Sequence, residues 1–350
     1  MAGYTPILKG RRAELLALGH ADPAVAAVIR PLLEVIPAQP SLYGSVLTFG
    51  GLLADAAPKG MAFAVDCRYL GRPDSGPPGQ NPVSLVAEHI QQRQIAMIPV
   101  FGLGDGANLA GVRVAAATHG AGGCLRLDRE HGLQSIAAGR SSHASEVLTA
   151  VGLRAADVDL LIDLGEICTQ AALQRAGGIA RRALAWARRR GWRSITLASG
   201  AFPADIAGFP IGTSTPVPRW DAAFWAQTAS HPIGGPAVGY GDYTVSSPRL
   251  VPGGCAPMPS LRHTGKRHWH VYRYPKSANG GMSTFCDLCR DVVCSGHWPP
   301  EGSGCCWGDE QIELHARRRQ GPGNATSWRA FGTSHHLALV VSRLSALGEP

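Results

Sequence analysis

The sequence lacks any long apolar run. Its 350 residues contain no window of about 18 apolar residues, and the N-terminal segment has no apolar stretch of about 7 to 15 residues behind basic ones. We therefore expect a cytoplasmic protein with no membrane-spanning helix, no secretory signal and no membrane partner. Charged residues are also scarce, at 17% against 45% hydrophobic residues, which is typical of a globular protein and not of a disordered chain.

The sequence also lacks an internal repeat of fixed length and a long linker. A chain of separate domains is therefore not expected, and we treat residues 1–350 as a single domain. This length exceeds a typical domain of about 150 residues, but single α/β barrels run to about 250 residues or more.

Acidic residues are in the minority. The chain has 33 Lys and Arg against 25 Asp and Glu, a net charge of +8 that favours polyanionic partners such as nucleic acid. Much of the excess lies in the short arginine runs 181–182, 188–190 and 317–319. These runs fit solvated helix and loop faces equally well, and such faces need no partner.

Short apolar runs bounded by glycine, proline or aspartate recur along the chain. Runs of roughly four to eight residues that are apolar nearly throughout are typical of strands buried on both faces of a parallel sheet. Helical patterns separate several of them, including 83–94, 145–153 and 170–190. The candidate strands are 5–9, 31–35, 62–66, 95–100, 123–128, 158–164, 194–199, 237–244 and 268–274.

This alternation of strands and helices predicts an α/β fold with right-handed crossovers. The number of candidate strands predicts a closed (β/α)8 TIM-like barrel with an elaborated C-terminal segment, and an open doubly wound sheet is the alternative. We interpret the first run, 5–9, as an accessory strand or plug. A cysteine-rich insertion is expected at about 276–310.

Ionisable residues lie at the carboxyl ends of many of these runs. The loops after the strands build the reactive face of a parallel barrel, so these side chains are expected to converge there. Together they could bind a divalent cation or phosphate, act as general acid and base, or form structural ion pairs only. The set is Lys9, Glu34, Asp66, Arg126, Asp128, Asp163, Glu166, Asp242, Tyr243 and Arg273.

A histidine pair, His335 and His336, stands just before the apolar run 337–341. We place it at the start of the last helix, with Thr333 or Ser334 as the N-cap. A helix N-terminus favours a neutral imidazole, which suits a general base or an anion site, although one ring could cap and the other pack. The catalytic candidates are Lys9, Glu34, Asp66, Asp163, Asp242, Arg273, His335 and His336.

The segment FGLGDGA, residues 101–107, follows a predicted strand. Gly102, Gly104 and Ala107 have the spacing of a dinucleotide fingerprint, and Asp128 lies roughly 20 residues further on. The segment falls in mid-chain, whereas the fingerprint normally follows the first strand of its fold. We therefore interpret it as an ordinary strand-to-helix turn, with phosphate binding as the alternative.

Cysteine is concentrated in one segment, because five of the nine cysteines fall within 286–306. In a reducing compartment such residues are expected to be free, catalytic or metal-bound. Two close pairs fit a zinc site, but only four residues separate them, and 287–293 also fits an amphipathic helix with inert buried thiols. The candidate zinc ligands are Cys286, Cys289, Cys294 and His297, with Cys305 or Cys306 as substitutes.

Four sequence words span nearly the whole chain: 4–18 (YTPILKGRRAELLAL), 29–35 (IRPLLEV), 308–312 (GDEQI) and 328–337 (WRAFGTSHHL). In these words the chain resembles the beta protein family, named after a T-even phage product. The resemblance implies a barrel-like α/β domain, found in phages and bacteria, whose function is not established. The cysteine segment is not part of this pattern.

Two function hypotheses follow. The first is an enzyme or ligand-binding barrel that acts at its rim on an anionic or phosphorylated small molecule or nucleotide. Its chemistry would be acid–base or metal-assisted hydrolysis, with zinc or another divalent metal as the candidate cofactor. The second is a phage or phage-defence associated protein that binds nucleic acid or a protein partner.

Overall fold

The computed structural model describes residues 3–38, 40–58, 60–71, 81–138, 142–229, 237–250, 258–279 and 281–350. Its strands are β1 (Tyr4–Leu8), β2 (Leu32–Glu34), β3 (Ala62–Asp66), β4 (Ala96–Phe101), β5 (Gly123–Leu127), β6 (Val158–Glu166), β7 (Ser194–Gly200), β8 (Thr213–Pro218), β9 (Val238–Asp242), β10 (Ser260–Thr264) and β11 (His268–Arg273). Eight of them close a barrel in the order β1-β2-β3-β4-β5-β6-β7-β9, with parallel pairing throughout. The predicted α/β barrel is therefore confirmed.

Helices follow the barrel strands and pack around them. They are α1 (Arg12–Gly19), α2 (Pro23–Val28), α3 (Leu42–Ala56), α4 (Pro82–Gln91), α5 (Leu109–His119), α6 (Gly132–Ala137), α7 (Ser142–Val151), α8 (Gln170–Ala187), α9 (Trp220–Thr228), α10 (Thr284–Val293), α11 (Trp307–Ala316) and α12 (Ala325–Leu347). No helix within the described ranges is both long enough and apolar enough to cross a bilayer.

Local sequence signals explain where these helices begin. At α4, the Asn81 side chain accepts the backbone N–H groups of Val83 and Ser84, and Pro82 occupies the first turn. At α8, Thr169 caps the helix, which buries an alanine- and leucine-rich face and leaves its arginines toward solvent. Helix α8 therefore has the amphipathic character that packing on a barrel requires.

Two of the nine predicted strands have roles that differ from the prediction. The first run is β1, which is a barrel strand paired with both β2 and β9, and not an accessory strand or plug. The last run is β11, which lies outside the barrel, between β10 and β8 in an antiparallel sheet. Half-buried and buried residues alternate at the start of β11, a pattern typical of antiparallel strands with one exposed face.

Successive side chains of a barrel strand point to opposite faces, and this alternation decides what lines the barrel. The inward set is a separate apolar cluster that includes Ile7, Leu32, Cys124 and Leu161. Two residues further along the same strands, the inward positions are therefore occupied by charged side chains. These residues are Lys9, Glu34, Arg126 and Asp163, and Asp66 occupies the corresponding position after Ala64 of β3.

The C-terminal part of the chain adds a second layer to the barrel. Helices α10 and α11 pack together with the β10–β11 sheet around a second hydrophobic cluster, which includes Phe285, Leu288, Ile312 and Trp328. Helix α12 joins the two parts, because it packs on both α1 and β10. The elaborated C-terminal segment thus follows the last barrel strand, β9, in the chain, and α12 packs it against the barrel.

Candidate functional site

A network of buried charged groups closes the carboxyl-terminal end of the barrel. Its centre is the Arg126 guanidinium, which donates to Glu34 Oε1 at 2.8 Å, to Asp66 Oδ2 at 2.8 Å and to Asp163 Oδ2 at 2.6 Å. A further bond, at 2.7 Å, goes to the Tyr243 hydroxyl, which in turn donates to Asp163 at 2.6 Å. We call this set the mouth cluster; it consists of Lys9, Glu34, Asp66, Arg126, Asp163 and Tyr243.

Lys9 completes the network from β1. Its ammonium group donates to Glu34 Oε2 at 2.5 Å and to the Pro248 carbonyl at 2.8 Å, and it lies 5.3 Å from the centre of the Tyr243 ring. At the edge of the cluster, Arg68 pairs with Asp66 at 2.8 Å. Three cations therefore face three carboxylates, so the buried charges balance.

The pKa values in the mouth cluster follow from this pairing. Burial opposes ionisation of Asp163, but the charge of Arg126 and hydrogen bonds from Tyr243 and Gly165 outweigh it and lower the pKa of the carboxyl. The pKa of Asp66 is lowered in the same way, against burial, by its arginine neighbours. Burial raises the pKa of the Tyr243 hydroxyl well above its ordinary value. At neutral pH the Asp66 and Asp163 carboxylates are ionised and the Tyr243 phenol is protonated.

A cavity of about 530 Å³ opens directly above the mouth cluster. Its floor consists of Arg126, Asp163 and Tyr243, and the strand-to-helix loops form its wall. Another cavity, of about 630 Å³, lies at the opposite end of the barrel among the amino-terminal ends of the strands. We take the first as the candidate site, because the reactive groups of parallel barrels lie at the carboxyl ends of the strands. Its wall includes Arg68, Tyr69, Gly102, Gly104, Asp105, Asp128, Arg129, Glu130, His131, Glu166 and Arg249.

Residues 102–105 of the glycine segment 101–107 line this cavity, but the segment does not adopt a dinucleotide-binding geometry. Asp105 accepts the backbone N–H of Gly102 at 2.7 Å, and no glycine of the segment has a positive φ. Asp128, which has the spacing of the acidic residue in a dinucleotide fingerprint, accepts the backbone N–H groups of His131 and Gly132 where α6 begins. The segment is therefore an ordinary turn whose small residues leave space in the cavity wall.

Asp242 was predicted to point into the barrel mouth, and the structure places it on the opposite face of β9. Its carboxylate accepts hydrogen bonds from the Tyr4 and Tyr240 hydroxyls, both at 2.9 Å, and lies 2.7 Å from His336 Nε2. Burial opposes ionisation of this carboxyl, but the neighbouring His336 and Arg219 outweigh it and lower its pKa. Asp242 therefore joins the barrel to α12 and does not face the cavity.

A turn with an unusual backbone conformation follows Asp242 and Tyr243. Thr244 has a φ of 54°, a left-handed conformation that is costly for a β-branched residue, and its backbone N–H donates to Asp242 at 3.1 Å. Because successive residues of a strand point to opposite faces, Asp242 points outward with Tyr240, and Tyr243 points inward to the mouth cluster. This strained turn holds the phenol in place above the barrel.

His335 and His336 do not begin a helix. Helix α12 starts earlier, with Asn324 as its N-cap, so both histidines lie in its buried middle. The predicted caps, Thr333 and Ser334, are residues inside the helix. Neither histidine reaches the cavity, and the interpretation of this pair as a helix N-terminal base was wrong.

Arg273 is also absent from the barrel mouth. It ends β11, where its guanidinium donates to the carbonyl groups of Ala207 and Phe209. These bonds fasten the loop before β8 to the antiparallel sheet. Arg273 is thus a structural residue of the C-terminal layer, because the strand that carries it is not a barrel strand.

The structure does not assemble the predicted zinc ligands. Cys286 and Cys289 lie on the buried face of α10, Cys294 is exposed, and His297 bonds to the Tyr272 hydroxyl at 2.6 Å and stacks on His270. The helical alternative for this segment is confirmed, since α10 spans Thr284–Val293. Burial raises the pKa of the Cys289 thiol well above its ordinary value, which is typical of an inert buried cysteine.

A different group of ligand-type side chains meets where β10, α11 and α12 come together. His335 Nδ1 lies 2.8 Å from Asp309 Oδ2, and His263 Nε2 lies 3.4 Å from Asp309 Oδ1. The Cys306 thiol is 3.3 Å from Asp309 Oδ2. We call these four residues the junction cluster. Within the described ranges, His263, Asp309 and His335 form the one group of three such residues whose ligand atoms all lie within 4.8 Å.

Sequence reasoning found part of each cluster. Arg126 and Tyr243 were among the residues at strand ends but were left out of the catalytic candidates. Arg126 could have been identified from its position, because it lies two residues after Cys124, an apolar residue that faces into the barrel. His263 and Asp309 were not identified at all. They are 46 residues apart on a strand and a helix, and no local spacing connects them.

The fold and the mouth cluster define a closed α/β barrel with a charged, buried floor beneath a cavity. The family model described as Beta protein matches residues 4–342, and the chain belongs to this family. No curated protein matches the chain. Among solved structures, it is similar to an old yellow enzyme homologue from Zymomonas mobilis, at 10% identity and a TM-score of 0.28, over 69% of this chain and 84% of that chain.

Proposed function

We propose that the chain binds an anionic small molecule, bearing phosphate or carboxylate, in the cavity at the barrel mouth. One observation carries this proposal: the charged layer of inward-facing side chains lies directly beneath a cavity of about 530 Å³. Cavities that hold small ligands have volumes of about 300 to 1,000 Å³. The floor is rigid and charged, which suits precise placement of a polar ligand.

Arginines of the cavity wall supply the attraction for an anion. Arg68 and Arg249 are held by Asp66 and Glu166, and Arg129 forms no ion pair with any residue that the structure describes. A guanidinium held by a carboxylate is already oriented for a two-pronged contact with phosphate or carboxylate. Nucleotides and phosphorylated metabolites are the ligand class that this wall favours.

The floor of the cavity suits acid–base chemistry on such a ligand. The ionised Asp163 carboxylate is a candidate base, and the protonated Tyr243 hydroxyl, 2.6 Å away, is a candidate proton donor. Asp105 and Asp128 are occupied by backbone N–H groups, and Asp163 is occupied by Arg126. The two wall aspartates are therefore not free to bind a metal, and Asp163 acts as a base only when a ligand draws Tyr243 or Arg126 away from it.

Isothermal titration calorimetry tests the proposal with inorganic phosphate, pyrophosphate, ATP and, as the neutral ligand, adenosine. We expect at least one anion to bind and adenosine not to bind. The Arg249→Gln variant should weaken the anion about tenfold or more, because one charge-assisted contact contributes about 1.5 to 3 kcal/mol. Arg249 is 71% exposed, so its loss should leave the fold intact.

Arg154→Gln is the matched control. Arg154 is also exposed and paired with an aspartate, Asp157, but it lies before β6 at the opposite end of the barrel. Anion binding that is absent, or equally weakened in both variants, overturns the proposal. Binding of duplex DNA that falls steeply with salt and is insensitive to Arg249→Gln would instead favour the nucleic-acid hypothesis.

A further inference from the structure

The junction cluster contains buried polar atoms that its surroundings leave unused. His263 is fully buried, yet neither Nδ1 nor Nε2 has a hydrogen-bond partner among the described residues, and the same is true of Asp309 Oδ1. Burying an unpaired polar group costs about 1 to 3 kcal/mol, and native proteins leave few of them. Three such atoms in two facing side chains indicate that something else satisfies them.

The separations match those between the ligands of one metal ion. His263 Nε2 and Asp309 Oδ1 are 3.4 Å apart, close enough for an ion pair but without the alignment of a good hydrogen bond. In a tetrahedral zinc site with bonds of about 2.0 to 2.1 Å, neighbouring nitrogen and oxygen ligands lie about 3.3 Å apart. The third ligand atom, on His335, is within 4.8 Å of the other two.

The supporting contacts are also those of a metal site. His335 Nε2 donates to the Thr264 carbonyl at 2.8 Å, so that Nδ1 faces Asp309. A ligating histidine usually donates its other ring N–H to a carbonyl or carboxylate in this way, which fixes the ring and its tautomer. Helix α11 carries Asp309 in its first turn, and Cys306 is its N-cap residue.

We propose that His263, Asp309 and His335 bind a zinc ion. The Cys306 thiol, 3.3 Å from Asp309 Oδ2 but outside this group of three, becomes the fourth ligand when its side chain turns toward the ion. Two imidazoles, a carboxylate and a thiolate are the donor types that zinc selects. One carboxylate and one thiolate also neutralise a divalent ion, which a buried site requires. All four residues are buried, so the ion serves to join β10, α11 and α12. This site is separate from the mouth cluster and does not depend on its function.

The full-length protein, purified without a metal-affinity step, is analysed by elemental mass spectrometry. We expect about one zinc per chain. His263→Gln and Asp309→Asn should each reduce this to none, and a chelator should lower the midpoint of thermal unfolding of the wild type only. Replacement of zinc by cobalt should give a sulfur charge-transfer band that disappears in Cys306→Ser.

Two controls come from the same part of the chain. His297→Gln and the double variant Cys286→Ser, Cys289→Ser should keep their zinc, since these residues lie outside the junction cluster. If His263→Gln does not fold, competition between the wild type and a chromophoric chelator still measures zinc affinity. Wild-type protein that neither contains nor takes up zinc overturns the proposal, as does zinc that is lost only in the double cysteine variant.

Discussion

At the barrel mouth three buried carboxylates face three cations, whereas at the junction cluster one buried carboxylate faces two imidazoles, and one of these, His263, has two unused nitrogen atoms. Arg126 contacts every carboxylate of the mouth cluster, so that cluster is complete without a ligand. His263 and Asp309 Oδ1 leave the junction cluster incomplete. A saturated network holds its own shape beneath a cavity, whereas an unsaturated one leaves ligand atoms free for the zinc ion that we propose.

The largest expected effect comes from removing the centre of the saturated network. Arg126→Met leaves Glu34, Asp66 and Asp163 buried without their shared cation, and we expect a loss of about 3 to 5 kcal/mol in the free energy of unfolding. Chemical denaturation measures this loss. Arg154→Met, which breaks an exposed pair, is the control and should leave the denaturation midpoint unchanged. Equal midpoints for both variants would contradict the account of the mouth cluster.

A smaller loss of stability is expected where α11 packs against α12 beside the junction cluster. A side chain at Gly308 would place its Cβ 2.3 Å from the Phe331 carbonyl oxygen, so α11 approaches α12 as closely as a glycine allows. Gly308→Ala should therefore cost about 1 to 3 kcal/mol of unfolding free energy, measured by denaturation.

The control for this contact is Gly304→Ala, because its Cβ would meet open space. It should change stability by no more than about 0.5 kcal/mol. If Gly308→Ala is as stable as Gly304→Ala, the close contact between α11 and α12 does not position Asp309.

The smallest effect is a change in the pH dependence of stability. The pKa values of Asp66 and Asp163 are lowered on folding, so their contribution is complete above the unfolded value of about 4 and is lost as the pH falls through the folded values. The unfolding free energy should thus decline below about pH 4. Asp163→Asn should flatten this decline by at most about 1.4 kcal/mol per pH unit, the effect of one proton.

This dependence should persist in 1 M salt, since buried pairs are screened much less than exposed ones. A slope in Asp163→Asn equal to that of the wild type would show that the carboxylate does not titrate with folding. Comparing how steeply the unfolding free energy changes with pH, and not the unfolding free energies themselves, removes the pH-independent loss of stability that the substitution causes.

The barrel could be predicted from sequence because its strands are short runs that are apolar on both faces. The same pattern located Lys9, Glu34, Asp66 and Asp163, since a charged residue that ends a buried strand must find a partner. Asp242 was placed on the wrong face, because β9 reads VGYGD and its two glycines leave no clear apolar face from which to count the alternation.

The remaining misses depend on contacts between distant segments. The local residues before the histidine pair resemble a helix cap, but Asn324 begins α12 earlier and carries the pair into the protein interior. His263 meets Asp309 and His335 only after the C-terminal layer has packed. The spacing of these three residues along the chain does not predict that they lie close together. The clustered cysteines, in contrast, were predicted to bind zinc from their spacing alone.

The bond between Asp242 and His336 has a consequence for how the protein is made. During synthesis, Asp242 leaves the ribosome 94 residues before His336, its ion-pair partner. It leaves the ribosome 238 residues after Tyr4, whose hydroxyl also donates to it. Both partners form contacts of large sequence separation, which slow folding. We therefore expect the last barrel strand to become stable only when α12 is present, and the earlier strands to be open to aggregation until then.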